Sequence, residues 1–145
     1  MSKRSVLILD DSSTRHDVYD KIYEGCDVRH AYDYFDFLSA LDRGSPWDLV
    51  HLDHDLGDLV AHASTYVDGW GSTREYNGQH ASLRICELSD ERLPKRVIVQ
   101  SVNPEGARAM KMNLVGRGVD VSWQPFGDPM QDGDQAVSPE DTNFT

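Results

Sequence analysis

Five short apolar runs, separated by segments with helical spacing, constrain the fold of this chain more than any other feature of its sequence. Such runs are typical of buried strands, and here they alternate with helical segments. The predicted strands cover residues 5–9, 27–32, 47–52, 96–99 and 119–123. Because crossovers between such strands are right-handed, we expect helices on both faces of a parallel sheet. The sequence predicts an α/β fold, a three-layer sandwich with five parallel strands in the order 2-1-3-4-5.

Apolar side chains at helical spacing predict which helix faces point inward. The predicted inward residues are Phe35, Leu38 and Leu41 in the second helix and Leu83, Cys86 and Leu88 in the helix over 79–88. Residues 58–76 show no clear periodicity before that helix. A stretch of this length without periodicity is typical of a functional loop, so we expect a loop or lid that includes Trp70.

The chain is acidic, and its charge is unevenly distributed. Among 145 residues it has 25 acidic and 14 basic ones, for a formal net charge of −11 and a pI near 4.7. Residues 127–145 contain five acids and no base. We therefore expect a globular domain over 1–126 and a disordered acidic tail over 127–145.

This charge balance excludes two classes of partner. Long double-stranded nucleic acid and anionic membrane surfaces are both bound through clustered Lys and Arg. No apolar run approaches the ~18 residues of a membrane span. Cys26 and Cys86 lie far apart, in no metal-binding or redox spacing, which is typical of a reducing compartment. We expect a cytoplasmic protein that binds a small ligand.

Acidic side chains follow the first and third predicted strands. Asp10 and Asp11 come after the first strand, and Asp53 and Asp55 after the third. The carboxyl ends of neighbouring parallel strands, about 4.8 Å apart, form the ligand-binding edge of such sheets. Carboxylates gathered there repel one another unless a cation intervenes, and their oxygens suit Mg²⁺ or Mn²⁺. We interpret the four acids as a divalent-metal site; the alternative is that Asp10 and Asp11 only cap the next helix.

Two histidines flank Asp53 and are candidates for proton transfer. His51 and His54 lie close to the acids, which favour the protonated form of an imidazole. A protonated imidazole can donate to a leaving oxygen. The alternative for either residue is a structural histidine bonded to a loop. The remaining histidines are predicted to be solvated; they are His16, His30, His62 and His80.

Polar residues elsewhere at this edge are candidates for binding a phosphate. Hydroxyl, amide and backbone N–H groups at a helix start form a small anion site, to which an arginine adds positive charge. The phosphate- or substrate-binding candidates are Arg15, Asn77, Ser101, Asn103, Gly106 and Trp70. Ordinary helix capping by Asn77 and Asn103, and a surface position for Arg15, remain the alternatives.

The order of these motifs resembles the receiver domain of two-component response regulators. The resemblance implies Mg²⁺ binding by Asp10 and Asp11, a phosphoacceptor at Asp53 and the family's hydroxyl at Ser101. Gln124 stands where the receiver lysine precedes a proline, so the main cationic partner of an aspartyl phosphate is missing.

The chain is more similar to the divergent cyclic-phosphate processing receiver family, over about residues 5–126. The motifs that carry this resemblance are Leu9-Asp-Asp11 with Arg15, Leu52-Asp-His-Asp-Leu-Gly57, Asn77-Gly78 and Ser101-Val-Asn-Pro-Glu-Gly106. Gln100 stands where a histidine is expected before the serine. The resemblance implies a receiver-like, or flavodoxin-like, sandwich that acts on a cyclic phosphate.

Three functions fit these residues. The first is a metal-dependent phosphoesterase that opens a cyclic nucleotide or a cyclic RNA end, with His54 or His51 as the proton donor. The second is a non-catalytic receiver-like module that binds a nucleotide or a partner protein; Gln100 and Gln124 favour it because neither side chain is reactive. The third is a regulator that accepts a phosphoryl group on Asp53.

Overall fold

A computed structural model of the chain describes residues 3–54, 56, 65–101 and 103–124. The main sheet consists of five strands, which are β1 Ser5–Leu9, β2 Asp27–Ala31, β3 Leu49–Asp53, β6 Arg96–Gln100 and β7 Asp120–Gln124. These strands are parallel and lie in the order β2-β1-β3-β6-β7, while β4 (Thr65–Val67) and β5 (Thr73–Glu75) form a separate hairpin. The predicted strand order and the receiver-like sandwich are confirmed.

Four α-helices connect these strands within the described residues. They are α1 Ser13–Ile22, α2 Tyr34–Gly44, α3 Gly78–Cys86 and α4 Pro104–Gly116. Each begins after a side chain that accepts a hydrogen bond from its first turn, as expected for N-caps. The four caps are Ser12, Asp33, Asn77 and Asn103. None of these helices is long and apolar enough to cross a membrane.

The two faces of the sheet are buried in separate apolar clusters. Leu7 and Leu9 belong to the cluster that includes residues of α2, α3 and α4. Val6 and Ile8 pack instead with Tyr19 of α1 and with Tyr23, the residue directly after it. Side chains of a strand point alternately to opposite faces, so a strand covered on both sides is apolar throughout. This packing holds the carboxyl ends of β1 and β3 side by side.

Two predicted inward positions are wrong. Phe35 is 54% exposed and Leu83 is 45% exposed. In α2 the buried residues include Tyr34 and Phe37, so the inward stripe is offset by one position. In α3 they include the small residues Ala81 and Ser82. A prediction based on large side chains misses such a face, since small residues allow close helix packing.

Part of the predicted loop over 58–76 is an antiparallel hairpin instead, with β4 at Thr65–Val67 and β5 at Thr73–Glu75. These strands are short and largely exposed, so they lack the alternation that marks a half-buried strand. The Tyr66 ring lies 4.6 Å from that of Tyr76, which stacks on Tyr34 at 4.2 Å. Residues 58–64 and the tail predicted over 127–145 lie outside the described residues.

Candidate metal and phosphate site

Three carboxylates lie together at the carboxyl edge of the sheet. Asp10 directly follows β1, Asp53 is the last residue of the neighbouring β3, and Asp11 is next to Asp10. One carboxylate oxygen from each lies within 4.8 Å of the others. Asp10 and Asp53 are each 2% exposed, so water screens their repulsion poorly. The structure therefore brings together three of the four predicted metal ligands; Asp55 lies outside the described residues.

A guanidinium group contacts all three acids. Arg15 donates to Asp10 through Nε (2.7 Å) and Nη2 (2.8 Å), and its Nη2 lies 3.4 Å from both Asp11 and Asp53. Burial by itself lowers the pKa of Arg15, but the hydrogen bond to Asp10 and the three negative charges outweigh burial, so its pKa lies above the ordinary value. Arg15 is thus a component of the acidic site and not an isolated surface residue.

The donor set fits a hard divalent cation. Its three groups are carboxylates, and oxygen ligands of this kind are the ones that Mg²⁺ and Mn²⁺ prefer. The two interior acids come from adjacent strands of a rigid sheet, so their spacing is set by the fold. Asp10 is also fixed locally, because its Oδ1 accepts a hydrogen bond from the N–H of Ser12 at 2.8 Å.

His54 lies directly after the acids and is enclosed by the starts of two helices. Its carbonyl accepts a hydrogen bond from the N–H of Gly78 (2.9 Å), the first residue of α3. A Cβ atom on Gly106 would lie 2.4 Å from Cδ2 of the His54 ring, so the ring packs against the backbone of α4. Only glycine permits this approach. His54 is 9% exposed, so its ring is held against the start of α4.

The phosphate-binding candidates after β6 and before α3 have structural partners. The Oδ1 of Asn103 caps α4 by accepting from the N–H of Gly106 at 3.0 Å, and the buried Ser101 hydroxyl accepts from the N–H of Asn103 at 2.9 Å. Asn77 forms a capping box with His80 at the start of α3. Capping, the alternative considered for Asn77 and Asn103, is what their side chains do here; phosphate binding by these residues remains a prediction.

The exposed Trp70 lies at the turn of the hairpin, outside the acidic cluster. Asp68 organises this turn, since its Oδ1 accepts from the N–H groups of Trp70 (2.9 Å) and Ser72 (3.0 Å). The indole is 92% exposed. The structure thus presents Trp70 to solvent at the hairpin turn, and substrate binding by this residue remains a prediction.

His51 lies below the acids, not among them. It is 2% exposed in the middle of β3, and its Nε2 is hydrogen-bonded to the hydroxyl of Tyr23. Burial is the main reason that the pKa of His51 is lowered to about 3. A hydrogen bond with Gln100 raises this pKa, and the positive charge of Arg96 lowers it further. The prediction that nearby acids favour its protonated form is wrong, because the cost of burying the charge dominates. A neutral, enclosed imidazole is poorly suited to donate a proton at the site.

The neutral state of His51 predicts a loss of stability in acid. An unfolded chain protonates a histidine below about pH 6.5, whereas the folded protein keeps His51 neutral down to about pH 3. The folded pKa is the lower of the two, so the unfolded state binds more protons and stability falls as the pH falls below 6.5. Between pH 7 and pH 5 we expect His51 to contribute about 2 kcal/mol to this loss.

Urea unfolding of the parent and of His51→Gln at both pH values measures that contribution. Glutamine keeps a polar group in the position but does not titrate. We therefore expect the free energy of unfolding of His51→Gln to fall between pH 7 and pH 5 by about 2 kcal/mol less than that of the parent. Other titrating groups are common to both chains and cancel in the comparison. Equal acid sensitivity of the two proteins would contradict the assignment.

Sequence reasoning missed a buried polar layer beneath the acids. The hydroxyl of Tyr19 donates to Oε1 of Gln100, and the Tyr19 ring lies 4.9 Å from that of His51. Burial raises the pKa of Tyr19, and the charges of Asp10 and Asp53 raise it further. The hydroxyl of Tyr19 therefore stays protonated and keeps its hydrogen bond to Gln100 beneath the acids.

The prediction that His16 is solvated is also wrong. It is 1% exposed, and its Nε2 bonds to the carbonyl of Asp10 at 2.7 Å, while its Nδ1 contacts His30. Burial lowers the pKa of His16. His16 and Tyr19 of α1 and Tyr23 at its C-terminal cap recur at helical spacing, which marks an inward face. A pattern that counts only apolar residues omits the histidine.

Several solved structures with the same architecture are response-regulator domains. The N-terminal domain of a response regulator receiver protein from Methanoculleus marisnigri JR1 is 21% identical, with a TM-score of 0.57 and 91% of each chain covered. Chemotaxis response regulator CheY4 of Vibrio cholerae is 14% identical, with a TM-score of 0.60, covering 94% of this chain and 100% of that one. A Burkholderia pseudomallei response regulator with a phosphorylated aspartic acid and a calcium ion is 16% identical, with a TM-score of 0.58. The match covers 96% of this chain and 69% of that one. At these identities the similarity establishes the fold.

A family assignment comes from the sequence itself. No protein with a curated description matches the chain. The family model described as "Cyclic-phosphate processing Receiver domain" matches residues 5–115. That interval includes both acid-bearing strand ends, Arg15, His54 and the start of α4. Because the match spans most of the chain, this protein belongs to the cyclic-phosphate processing receiver domain family.

Proposed function

We propose that this protein is a metal-dependent phosphoesterase that hydrolyses a cyclic phosphate, either in a cyclic nucleotide or at a cyclic RNA end. The observation that carries the proposal is the close placement of three carboxylates at the sheet edge, with a histidine next in sequence to one of them. Asp10, Asp11 and Asp53 offer oxygens within 4.8 Å of one another, and His54 directly follows Asp53. The family match supplies the cyclic-phosphate context.

The three acids would hold the cation. A bound Mg²⁺ or Mn²⁺ supplies positive charge next to the phosphoryl oxygens and lowers the pKa of water. The rigid spacing of Asp10 and Asp53 on adjacent strands would place this charge reproducibly at the sheet edge.

The chain's own groups would bind the anion and move the proton. Hydrolysis of a cyclic diester forms one P–O bond to water and breaks one P–O bond to the ring alcohol, which needs a proton. The imidazole of His54, the residue after Asp53, would supply that proton. Arg15 would add charge-assisted hydrogen bonds to the phosphate, and the Ser101 hydroxyl one further polar contact.

Turnover of defined cyclic substrates tests the proposal. The purified protein is incubated with 2′,3′- and 3′,5′-cyclic nucleotides and with an RNA ending in a 2′,3′-cyclic phosphate, in Mg²⁺, in Mn²⁺ and in EDTA. We expect a linear phosphomonoester from at least one substrate class, and none in EDTA. No product from any substrate with either metal would overturn the proposal.

A non-catalytic binding module is the second candidate, and Gln100 favours it. This amide occupies the position where a histidine is expected, and because a carboxamide does not titrate it offers no transferable proton. Its Oε1 accepts a hydrogen bond from the Tyr19 hydroxyl. Calorimetry with the same substrates separates the two functions. Heat of binding with the cyclic ligand recovered intact would support the module, whereas conversion of the ligand would support the enzyme.

A further inference from the structure

One arginine lies where a cation would be bound by the acids. Arg15 contacts all three carboxylates at 2.7–3.4 Å, so its guanidinium supplies the positive charge that this acidic edge requires. Asp10 and Asp53 are buried, and their negative charges are costly without such a partner. Arg15 and a divalent cation would therefore use the same oxygens.

We propose that Arg15 is an exchangeable counter-ion: a divalent cation displaces its guanidinium from the three carboxylates, and the displaced group then binds the phosphate. The inference rests on the proposed function, because it assumes that Asp10, Asp11 and Asp53 hold a metal. It adds an order of events, in which the binding of the cation creates the anion site.

Electrostatics makes simultaneous occupancy unfavourable. A guanidinium and a divalent cation bound to the same three carboxylates would lie within a few ångström of each other in a poorly screened site, and like charges at that distance repel strongly. The carboxylate oxygens within 4.8 Å of one another leave room for one cationic centre. Metal binding therefore has to release at least part of the contact between Arg15 and the acids.

The position of Arg15 allows that release. Its side chain is 27% exposed, whereas those of Asp10 and Asp53 are 2% exposed, so the arginine has access to solvent and the acids do not. Its backbone lies in the first turn of α1, where its N–H bonds to the Ser12 cap at 3.3 Å. The side chain can therefore move while the helix keeps its cap.

The acids do not depend on Arg15 alone for their placement. Asp10 is also held by the N–H of Ser12 at 2.8 Å, and Asp53 is the last residue of a central strand. Removal of the guanidinium should thus leave the oxygens in place but uncompensated. Two measurements should then change in opposite directions: the metal-free protein becomes less stable, and its affinity for metal increases.

Calorimetric titration with MnCl₂ tests the exchange in the parent, Arg15→Gln, Arg15→Lys and a control, Arg74→Gln. The control removes an arginine that is 61% exposed and paired with Asp68 on the hairpin. We expect Arg15→Gln to bind Mn²⁺ at least about fivefold more tightly than the parent, Arg15→Lys to lie between them, and Arg74→Gln to match the parent. Thermal unfolding in EDTA should show a lower midpoint for Arg15→Gln, which added Mn²⁺ raises by more than it raises that of the parent.

The second arm uses inorganic phosphate as the probe of the anion site. With saturating Mn²⁺, phosphate should bind more weakly to Arg15→Gln than to the parent, by about tenfold or more for a lost charge-assisted contact. An unchanged phosphate affinity would overturn the assignment of the displaced arginine to the anion.

The outcomes separate this inference from the proposed function. Equal or weaker Mn²⁺ binding by Arg15→Gln would overturn the exchange and make Arg15 a clamp that positions Asp10, while leaving the metal site intact. Absence of Mn²⁺ binding by every chain, the folded Arg15→Lys included, would overturn the metal site and with it both proposals.

Discussion

The Asp53→Asn variant is expected to lose turnover of the cyclic substrate by at least about 10³-fold, or about 4 kcal/mol of transition-state stabilisation. Asparagine keeps the shape of the side chain but removes one of the three charges that would hold the cation. Asp53 is the acid contributed by β3, so the variant leaves only the two carboxylates that follow β1. The measurement is kcat/KM with saturating Mn²⁺, together with calorimetric Mn²⁺ affinity.

The fold should survive this change. The backbone of Asp53 stays in the ladder with β6, and the loss of one buried charge reduces repulsion with Asp10. We expect thermal unfolding of Asp53→Asn to resemble that of the parent. Asp120→Asn is the matched control, since it removes the same charge from the exposed start of β7, at the opposite edge of the sheet. Parent-like turnover by Asp53→Asn would exclude Asp53 from the reaction.

Replacement of His54 with glutamine is expected to slow hydrolysis of the cyclic substrate by about 10²–10⁴-fold, the usual contribution of a positioned proton donor. Glutamine cannot donate a proton to an alkoxide. The effect should depend on the leaving group: a ring alcohol needs the proton, whereas a nitrophenolate does not. We therefore expect less than about a tenfold loss with bis(p-nitrophenyl) phosphate. Equal losses on both substrates would show that His54 only positions other groups.

The position of the imidazole can be tested without changing the imidazole itself. A methyl group at Gly106 would overlap the His54 ring, with Cβ 2.4 Å from Cδ2, so Gly106→Ala should displace the ring. Gly116→Ala is the control, because among the described residues no atom beyond the adjoining helix backbone lies within 4 Å of the added Cβ, and both glycines are in α4. We expect Gly106→Ala to reproduce the leaving-group dependence of His54→Gln and Gly116→Ala to behave like the parent.

The local chemistry of the acidic edge could be predicted from the sequence, because it depends on strand ends and on their order. Asp10 and Asp53 end apolar strands, and the right-handed crossover rule makes those strands neighbours. The residues that support the acids were harder to predict. His16 and Tyr19 lie on the inner face of α1, but neither is apolar enough to mark a core position.

Other differences have the same origin in burial. The sequence neighbours of His51 suggested a protonated imidazole, yet its environment is made by α1 and β6, which are distant in sequence. The inward faces of α2 and α3 were misplaced at Phe35 and Leu83, because helix rotation is decided by the surface that each helix meets. The hairpin at Thr65–Val67 and Thr73–Glu75 lacked periodicity because neither of its faces is fully buried.

The sequence alone determined the alternation of strands and helices, the parallel sheet and the acids at its carboxyl edge, since these follow from local periodicity and connection rules. Only the tertiary structure decided which charges meet. It brought the guanidinium of Arg15 onto three carboxylates, enclosed His54 between the starts of α3 and α4, and removed His51 from the site. The physical reason is that pairing and pKa depend on distance and desolvation, which arise when separate elements pack together.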